Sequence, residues 1–249
     1  MRTELYGDGE PRLDDPAELF HEASKLHRAL ALQQAAGIVR LESNDALRDA
    51  AAAATRRNTQ RPRLALPRPS RPGCTLWEAI DRRRSRRSFA GELDDTVLAT
   101  VLDAAYGVRG EKRRTVPSGG ALYPLELYVA KRGRGMHRYD PELHALEEHE
   151  PGDPWPAFVL TSPVPSLLDD AAAAILVLGV FGRTRFKYGQ RGYRFALLEA
   201  GHVVQNVVLA AAALDVPALP LGGYYDALVD ELVGADGVNE SVVYAVVLG

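Results

Sequence analysis

The feature that most constrains the fold is the stretch from Phe195 to Leu214, which is apolar on nearly every side of a predicted helix. Such a helix must be buried, because none of its faces prefers water. Two shorter apolar runs, Ala174–Phe181 and Val242–Leu248, have the length and composition of fully buried strands. Together they predict an α+β fold in which helices flank a mixed sheet.

Other elements fit around this core. Glu126–Ala130 and Met136–Tyr139 are predicted strands. Thr75 is a predicted helix cap, since a glutamate three residues later completes a capping box. Another helix is expected to begin at Asp94 and to bury a stripe of valines and leucines that follows it.

Residues 1–62 are predicted to form a helical arm and a linker, separate from a main domain over 63–249. Pro16–Val39 has apolar residues at near-helical spacing, and Asp45–Thr55 is rich in alanine, the strongest helix former. Four prolines follow between Pro62 and Pro72. Proline lacks an N–H group and fixes its backbone angle, so this stretch is expected to be an extended connector.

Composition narrows the class of protein. The chain has 249 residues, a net charge of −3 and a pI of about 6.1, so no global positive field favours nucleic acid or an anionic membrane. One cysteine, Cys74, cannot form an internal disulfide. The N-terminus lacks the apolar core of a signal peptide, and no apolar run spans ~18 residues without polar interruption. We expect a cytoplasmic protein with no membrane and no nucleic-acid partner.

The long helix also carries polar residues. Glu199, His202 and Asn206 recur at helical spacing and are predicted to share one face. Because each unpaired buried polar group costs about 1–3 kcal/mol, these side chains need partners. Two interpretations stay open: a hydrogen-bond network at a subunit interface, or a face that borders a cofactor cavity. Glu199 and His202 also match half of a di-iron motif, but the sequence has no second copy, so no metal site is predicted.

An arginine run, RRRSRRSF (Arg82–Phe89), follows the helix that begins near Thr75. Guanidinium groups bind phosphate oxygens in a bidentate manner and stay charged at physiological pH, and Ser85 adds a short hydroxyl donor. The run is therefore either a phosphate site or a solvated basic patch. The residues alone favour the patch.

Two glycine pairs are candidate ligand contacts: PSGGALYP (Pro117–Pro124) and PLGGYYD (Pro220–Asp226). Glycine allows the backbone to approach a ligand closely. Either segment could equally be an ordinary turn, and the residues alone favour that reading for the first pair.

The segment FKYGQRGYRF contains an adjacent Lys187 and Tyr188. Both side chains are protonated at pH 7, so either acts as a base only where its surroundings lower its pKa. An adjacent pair could achieve this, because the ammonium group favours a phenolate. The alternative is a surface turn whose lysine extends into solvent.

In this order, the arginine run, the first glycine pair and Phe186–His202 resemble the SagB-type dehydrogenases, FMN enzymes of the nitroreductase superfamily. The resemblance covers roughly Leu64–Gly249, with fainter similarity around Phe20–Leu26. Those enzymes oxidise peptide thiazolines and oxazolines to aromatic azoles. The resemblance implies a nitroreductase-like fold and a homodimer with FMN at the subunit interface.

The resemblance also implies roles for individual residues. The FMN phosphate and ribityl chain would be held by Arg83, Ser85 and Arg87, with Arg84 between them offering only its backbone. The flavin would be packed, commonly from the opposite subunit, by Pro117, Ser118 and Gly119. The redox-active ring nitrogen would receive a backbone N–H from Gly222 or Gly223. The catalytic pair would be Lys187 and Tyr188. Members of the superfamily often continue into a basic segment, and this sequence ends at Gly249, so Arg191 or Arg194 could assist the arginine run.

The expected function is FMN-dependent dehydrogenation of azoline rings in a ribosomally made or carrier-bound peptide, with electrons passing from flavin to oxygen. A cyclodehydratase complex is the expected protein partner. Two alternatives stay open. One is a general nitro or quinone reductase that uses a nicotinamide donor, against which the Lys-Tyr pair weighs. The other is a non-catalytic subunit that holds a cyclodehydratase complex together.

Overall fold

A seven-stranded antiparallel sheet is the centre of the computed structural model, which describes residues 15–26, 28, 31–44, 46–47, 60–89, 91–110 and 113–249. The strands are β1 (Arg63–Ala65), β2 (Val108–Arg109), β3 (Arg113–Arg114), β4 (Leu125–Lys131), β5 (Met136–Asp140), β6 (Ala145–Glu150), β7 (Ala173–Val180), β8 (Ala218–Leu221) and β9 (Glu240–Leu248). The order across the sheet is β1-β6-β5-β4-β7-β9-β8, and β2 and β3 form a separate hairpin.

Helices cover both faces of this sheet. They are α1 (Pro16–Ala23), α2 (Ala31–Glu42), α3 (Leu76–Arg82), α4 (Asp95–Tyr106), α5 (Trp155–Leu160), α6 (Gly182–Tyr188), α7 (Arg191–Ala213) and α8 (Asp226–Val233). Side chains of α4 and α7 share one core cluster with Ile175 and Val177 of β7. Side chains of α5 and α8 share the second cluster with Leu176 and Leu178 of the same strand. Because β7 is buried on both faces, its sequence is apolar without alternation.

The α+β fold with helices on both faces of a sheet is confirmed. The sheet differs in one respect from the mixed sheet that we expected, because every pairing in it is antiparallel. Strands β4, β5 and β6 follow one another through short connections, and such connections join antiparallel neighbours. The last strand, β9, enters between β7 and β8 and runs antiparallel to both.

The local predictions at helix starts are confirmed. The Thr75 hydroxyl accepts a hydrogen bond from the Glu78 N–H, and the Glu78 carboxylate accepts one from the Thr75 N–H. Asp94 caps α4 by accepting from two backbone N–H groups of its first turn. These pairs are three residues or fewer apart, so the local sequence was sufficient to identify them.

The N-terminal arm contains two helices within and just beyond the stretch Pro16–Val39, where the sequence has near-helical spacing. Helix α1 ends at Ala23 and α2 begins at Ala31. Most of the helix predicted over 45–55 lies outside the described residues. Part of the proline-rich connector is extended as predicted, and Arg63–Ala65 pairs with β6 at the edge of the sheet.

Helix α7 packs against the sheet and against α4. By length and composition alone it could cross a membrane. Here its buried residues form part of the main core cluster, with Val203 and Val207 fully enclosed. The position of α7 is that of a core helix in a globular domain.

Candidate active site

The first glycine segment, Pro117–Pro124, contains a strained turn just before β4. Residues Gly119–Ala121 form a single 3-10 turn in which Gly120 has φ 65°. Ala121 and Tyr123 also have positive φ values, 54° and 44°, which are uncommon for residues with a Cβ atom. The Ser118 hydroxyl accepts a hydrogen bond from the Tyr123 N–H at 2.9 Å and helps to hold this shape. Such strain persists only where the surroundings enforce it.

The Lys-Tyr pair lies directly against this turn. Lys187 and Tyr188 end α6, and the Lys187 Nζ atom is 5.1 Å from the centroid of the Tyr188 ring. A Cβ atom at Gly120 would lie 2.6 Å from the Tyr188 hydroxyl and 2.9 Å from the Lys187 Nζ. Glycine at this position therefore leaves the space that the two polar groups occupy. Two motifs that are far apart in the sequence meet within one chain.

The turn rests on an aromatic side chain of α7. A Cβ atom at Gly119 would lie 3.1 Å from Phe195, and the Phe195 and Tyr188 rings meet edge to face at 5.0 Å. The turn, the end of α6 and the start of α7 thus form one packed unit.

Arg183 fixes α6 relative to the turn. Its Nη2 donates to Glu126 Oε1 of β4 at 2.6 Å, and its Nη1 donates to the Tyr123 carbonyl oxygen. Glu126 is buried and also accepts from Arg138 at 3.1 Å. Removing one member of a buried ion pair typically costs about 3–5 kcal/mol, because the other charge loses its partner. Sequence reasoning missed Arg183 and Glu126, which are 57 positions apart.

Behind the turn lies a buried carboxyl group. Glu199 is 2% exposed, and its Oε1 accepts a hydrogen bond from the Tyr106 hydroxyl at 2.7 Å, while its Oε2 has no hydrogen-bond partner of normal geometry among the described residues. Burial raises the pKa of Glu199 to about 7, against the opposing effects of the Ser118 and Tyr106 hydroxyls and the Arg114 charge. Burial and the Glu199 charge also raise the pKa of Tyr106 well above its ordinary value.

The predicted polar stripe on α7 needs a correction. Glu199 and Asn206 do share the side that faces the core, and Asn206 donates to the backbone oxygens of Ala104 and Thr115. His202 is exposed instead. Seven residues bring a helix back to within about 20° of the starting direction, whereas three residues leave it about 60° away. His202 therefore lies at the margin of the face that Glu199 and Asn206 share, and it is exposed there.

The arginine run leaves the end of α3 at Arg82 and continues without regular secondary structure. The Arg86 N–H donates to the Ala218 carbonyl oxygen at 3.0 Å, and the Arg86 side chain pairs with Asp215 at 3.0 Å. Arg82, Arg84 and Arg86 line one small cavity of about 130 Å³ beside α7. Arg83, Ser85 and Arg87 do not line this cavity.

One chain does not bring the arginine run and the glycine turn together. The run packs beside Val208 and Ala212, whereas the turn packs on Phe195. Thirteen helical residues separate Phe195 from Val208, a distance of about 20 Å along α7. Gly222 and Gly223 follow β8 on the surface, and a Cβ atom at either would meet nothing within 4 Å. Both glycines are therefore open to a ligand.

The sequence suggested that Arg191 or Arg194 could assist the arginine run. Neither residue lies near the run within one chain. Both begin α7, at the end opposite the run, and both bind the N-terminal arm. Arg191 donates to the Ser24 carbonyl oxygen at 3.0 Å, and Arg194 donates to the His21 carbonyl oxygen and to the Ser24 hydroxyl.

Among the described residues, no group of three or more His, Cys, Asp or Glu side chains is arranged to hold a metal.

Comparison with known proteins defines the class. The model of the nitroreductase family matches residues 80–249. The chain therefore belongs to the nitroreductase family, and its nitroreductase-like fold is confirmed. A structure of this family from Ralstonia eutropha superposes with a TM-score of 0.67 at 25% identity, over 78% of this chain and 91% of its own.

Three named relatives refine this class. A Methanocaldococcus jannaschii protein named as a nitroreductase is 34% identical over 63% of this chain and 83% of its own length. The microcin B17-processing protein McbC of Escherichia coli is 31% identical over 51% of this chain and 50% of its own. The trifolitoxin-processing protein TfxB of Rhizobium leguminosarum is 27% identical over 57% of this chain and 41% of its own. The alignments thus span half or less of the two processing proteins, and this similarity confirms the resemblance to the SagB-type branch of the superfamily.

Two further structures share the fold at lower identity. A chain of the Escherichia coli microcin synthetase McbBCD complex, solved with truncated pro-MccB17 bound, superposes with a TM-score of 0.60 at 22% identity. That superposition covers 100% of this chain and 97% of the other. A Desulfovibrio desulfuricans structure in complex with FMN has a TM-score of 0.52 at 23% identity, over 70% of this chain and 84% of its own.

Proposed function

We propose that this protein is an FMN-dependent dehydrogenase that oxidises thiazoline or oxazoline rings in a ribosomally made or carrier-bound peptide. The observation that carries this proposal is the contact between the Lys187–Tyr188 pair and Gly120, where a Cβ atom would lie within 3.0 Å of both polar groups. The similarity to McbC and TfxB, which are named as microcin B17-processing and trifolitoxin-processing proteins, supports a role in the same kind of processing.

The residues that would hold FMN include donors suited to its single terminal phosphate. Arg83, Ser85 and Arg87 offer donors for one terminal phosphate, and none of them lines the cavity that contains Asp215. A Cβ atom at Gly222 or Gly223 would meet nothing within 4 Å, so a flavin ring could approach the backbone at either position. Bound flavin would accept the hydride that the ring loses.

The proposed site is shared by two copies of the chain. In one chain about 20 Å of α7 separates the arginine run from the glycine turn, so one flavin is expected to meet the run of one protomer and the turn of its partner. Pro117, Ser118 and Gly119 would then pack on the flavin across the interface. We propose a homodimer in which residues 63–249 form the flavin domain and residues 1–62 form an arm and linker.

The Lys-Tyr pair would handle the proton. Oxidation of an azoline removes one hydride and one proton, so a base must take the proton from the ring carbon. The Tyr188 oxygen is the proposed acceptor, and the Lys187 Nζ atom lies 5.1 Å from the centroid of its ring. Arg183 would hold both residues in place through α6.

A cyclodehydratase assembly that forms the azoline is the proposed partner, and the cytoplasm is the proposed compartment. The similarity in fold to a chain of the McbBCD complex supports this context. A small-molecule nitro or quinone reductase is the second candidate, because the Methanocaldococcus jannaschii relative aligns over 83% of its length. Steady-state turnover of a nitroaromatic with NADPH would favour that reading.

The decisive test compares the wild type with Tyr188→Phe on a synthetic thiazoline peptide, with oxidation followed by the loss of 2 Da in mass spectrometry. Phenylalanine keeps the ring that packs on Phe195 and removes only the hydroxyl group. We expect the variant to retain FMN and its oligomeric state and to oxidise the peptide about 10²–10⁴-fold more slowly. Normal turnover by the variant would exclude the hydroxyl as proton acceptor.

A further inference from the structure

The N-terminal arm covers the end of α6 that carries the reacting pair, although the family match begins only at residue 80. A Cβ atom at Gly37 of α2 would lie 2.5 Å from the Lys187 carbonyl oxygen and 2.6 Å from that of Phe186. The backbones of α2 and α6 are therefore in direct contact. Arg191 and Arg194 tie α1 to α7 beside them.

A cavity of about 360 Å³ lies between the arm and the junction of α6 with α7. Its volume is near the lower end of the range for small-ligand sites, about 300–1,000 Å³. Lys187 and Tyr188 are part of its wall. A group bound in this cavity would lie next to the proposed reaction.

The charge of the cavity is one-sided. Four cationic residues line it, Lys25, Arg185, Lys187 and Arg191, and none of the described lining residues is acidic. Lys25 is paired with Glu22, which leaves three cations without a described acidic partner. This contrasts with the chain as a whole, which has a net charge of −3. Converging cations attract an anionic group and reject a cationic one.

Two of these cations have donors to spare. Arg185 makes no salt bridge to any residue that the structure describes, and its side chain is exposed. Arg191 binds the Ser24 carbonyl oxygen through Nη1, while its buried Nε has no hydrogen-bond partner among those residues. The guanidinium group matches a carboxylate in shape and charge, because both can form two parallel hydrogen bonds.

We propose that this cavity is a subsite for a carboxylate of the peptide substrate, next to the ring that is oxidised, with Arg185 and Arg191 as its main ligands. This inference rests on the proposed function for the identity of the substrate. It assigns the arm a role in substrate selection. Among the residues described, the subsite exists only where the arm meets α6 and α7.

The test uses labelled thiazoline pentapeptides with acetylated and amidated ends, which carry Asp, Asn or Lys beside the ring. Binding to the full-length protein is measured by fluorescence anisotropy at low salt. We expect Asp to bind about five-fold more tightly than Asn, the effect of one well-placed ion pair, and Lys to bind more weakly than both. An Asn peptide with a free C-terminus identifies the chain end as the source of the carboxylate if it binds like the Asp peptide.

Arg185→Gln should remove most of the preference for Asp over Asn. Arg40→Gln is the matched control, because Arg40 is an exposed cation of the same arm that does not line the cavity. Equal affinity for the three amidated peptides, or equal effects of the two variants, would overturn the subsite. Binding is measured without turnover. Failure to oxidise any azoline would therefore count against the proposed function and leave the binding result intact.

Discussion

The buried carboxyl group of Glu199 gives the protein a stability that depends on pH in a defined direction. Folding raises the pKa of this group from 4.5 to about 7, chiefly through burial. Between these values the folded chain binds more protons than the unfolded chain. The contribution of Glu199 is therefore full below pH 4.5 and is lost as the pH rises through 7.

The magnitude follows from the size of the pKa change. Each pH unit corresponds to about 1.4 kcal/mol, so ionised Glu199 withdraws about 3 kcal/mol from the free energy of unfolding. About 2.5 kcal/mol of this loss is expected between pH 5 and pH 8. A Glu199→Gln variant cannot ionise, and its amide oxygen still accepts a hydrogen bond from Tyr106. We expect the substitution to lower the free energy of unfolding by about 1–3 kcal/mol, because its amide N–H group lacks a partner. This loss should not depend on pH.

The assay is urea unfolding of both proteins at pH 5, 6, 7 and 8, at one protein concentration because oligomerisation also affects stability. The wild-type advantage over Glu199→Gln should shrink by about 2.5 kcal/mol across this range. The control is Glu78→Gln. The capping hydrogen bonds from Thr75 lower the pKa of Glu78, so its contribution is lost only as the pH falls below about 4.5. Parallel stability curves for the wild type and Glu199→Gln would refute the reasoning.

The remaining predictions concern the cofactor, the turn and the arm. Arg83→Ala should weaken FMN binding by about 1.5–3 kcal/mol in a fluorescence titration, and Arg86→Ala by much less, because Arg86 already pairs with an aspartate. Gly120→Ala should keep FMN but lower azoline oxidation at least about ten-fold, since its Cβ atom would displace the reacting pair. Gly37→Ala should speed tryptic cleavage of the arm, whereas Gly73→Ala, where a Cβ atom meets nothing within 4 Å, should not.

The sequence by itself determined the class of this protein. Apolar runs identified β7, β9 and α7, and the capping residues identified the starts of α3 and α4. These signals are local, because an apolar run and a helix cap are both patterns of neighbouring residues. The order of three motifs then led to the nitroreductase superfamily, which the match over residues 80–249 confirms.

The tertiary structure alone decided which of these residues meet. Three contacts join distant parts of the chain. Gly120 lies against Tyr188, Glu199 accepts a hydrogen bond from Tyr106 across 93 positions, and Arg191 binds the N-terminal arm. Sequence periodicity carries no information about such contacts, because they depend on how whole elements pack. The same packing turned His202 outward and left Glu199 buried. It also separated the arginine run from the glycine turn along α7. The proposed flavin site uses both segments, so it requires two chains.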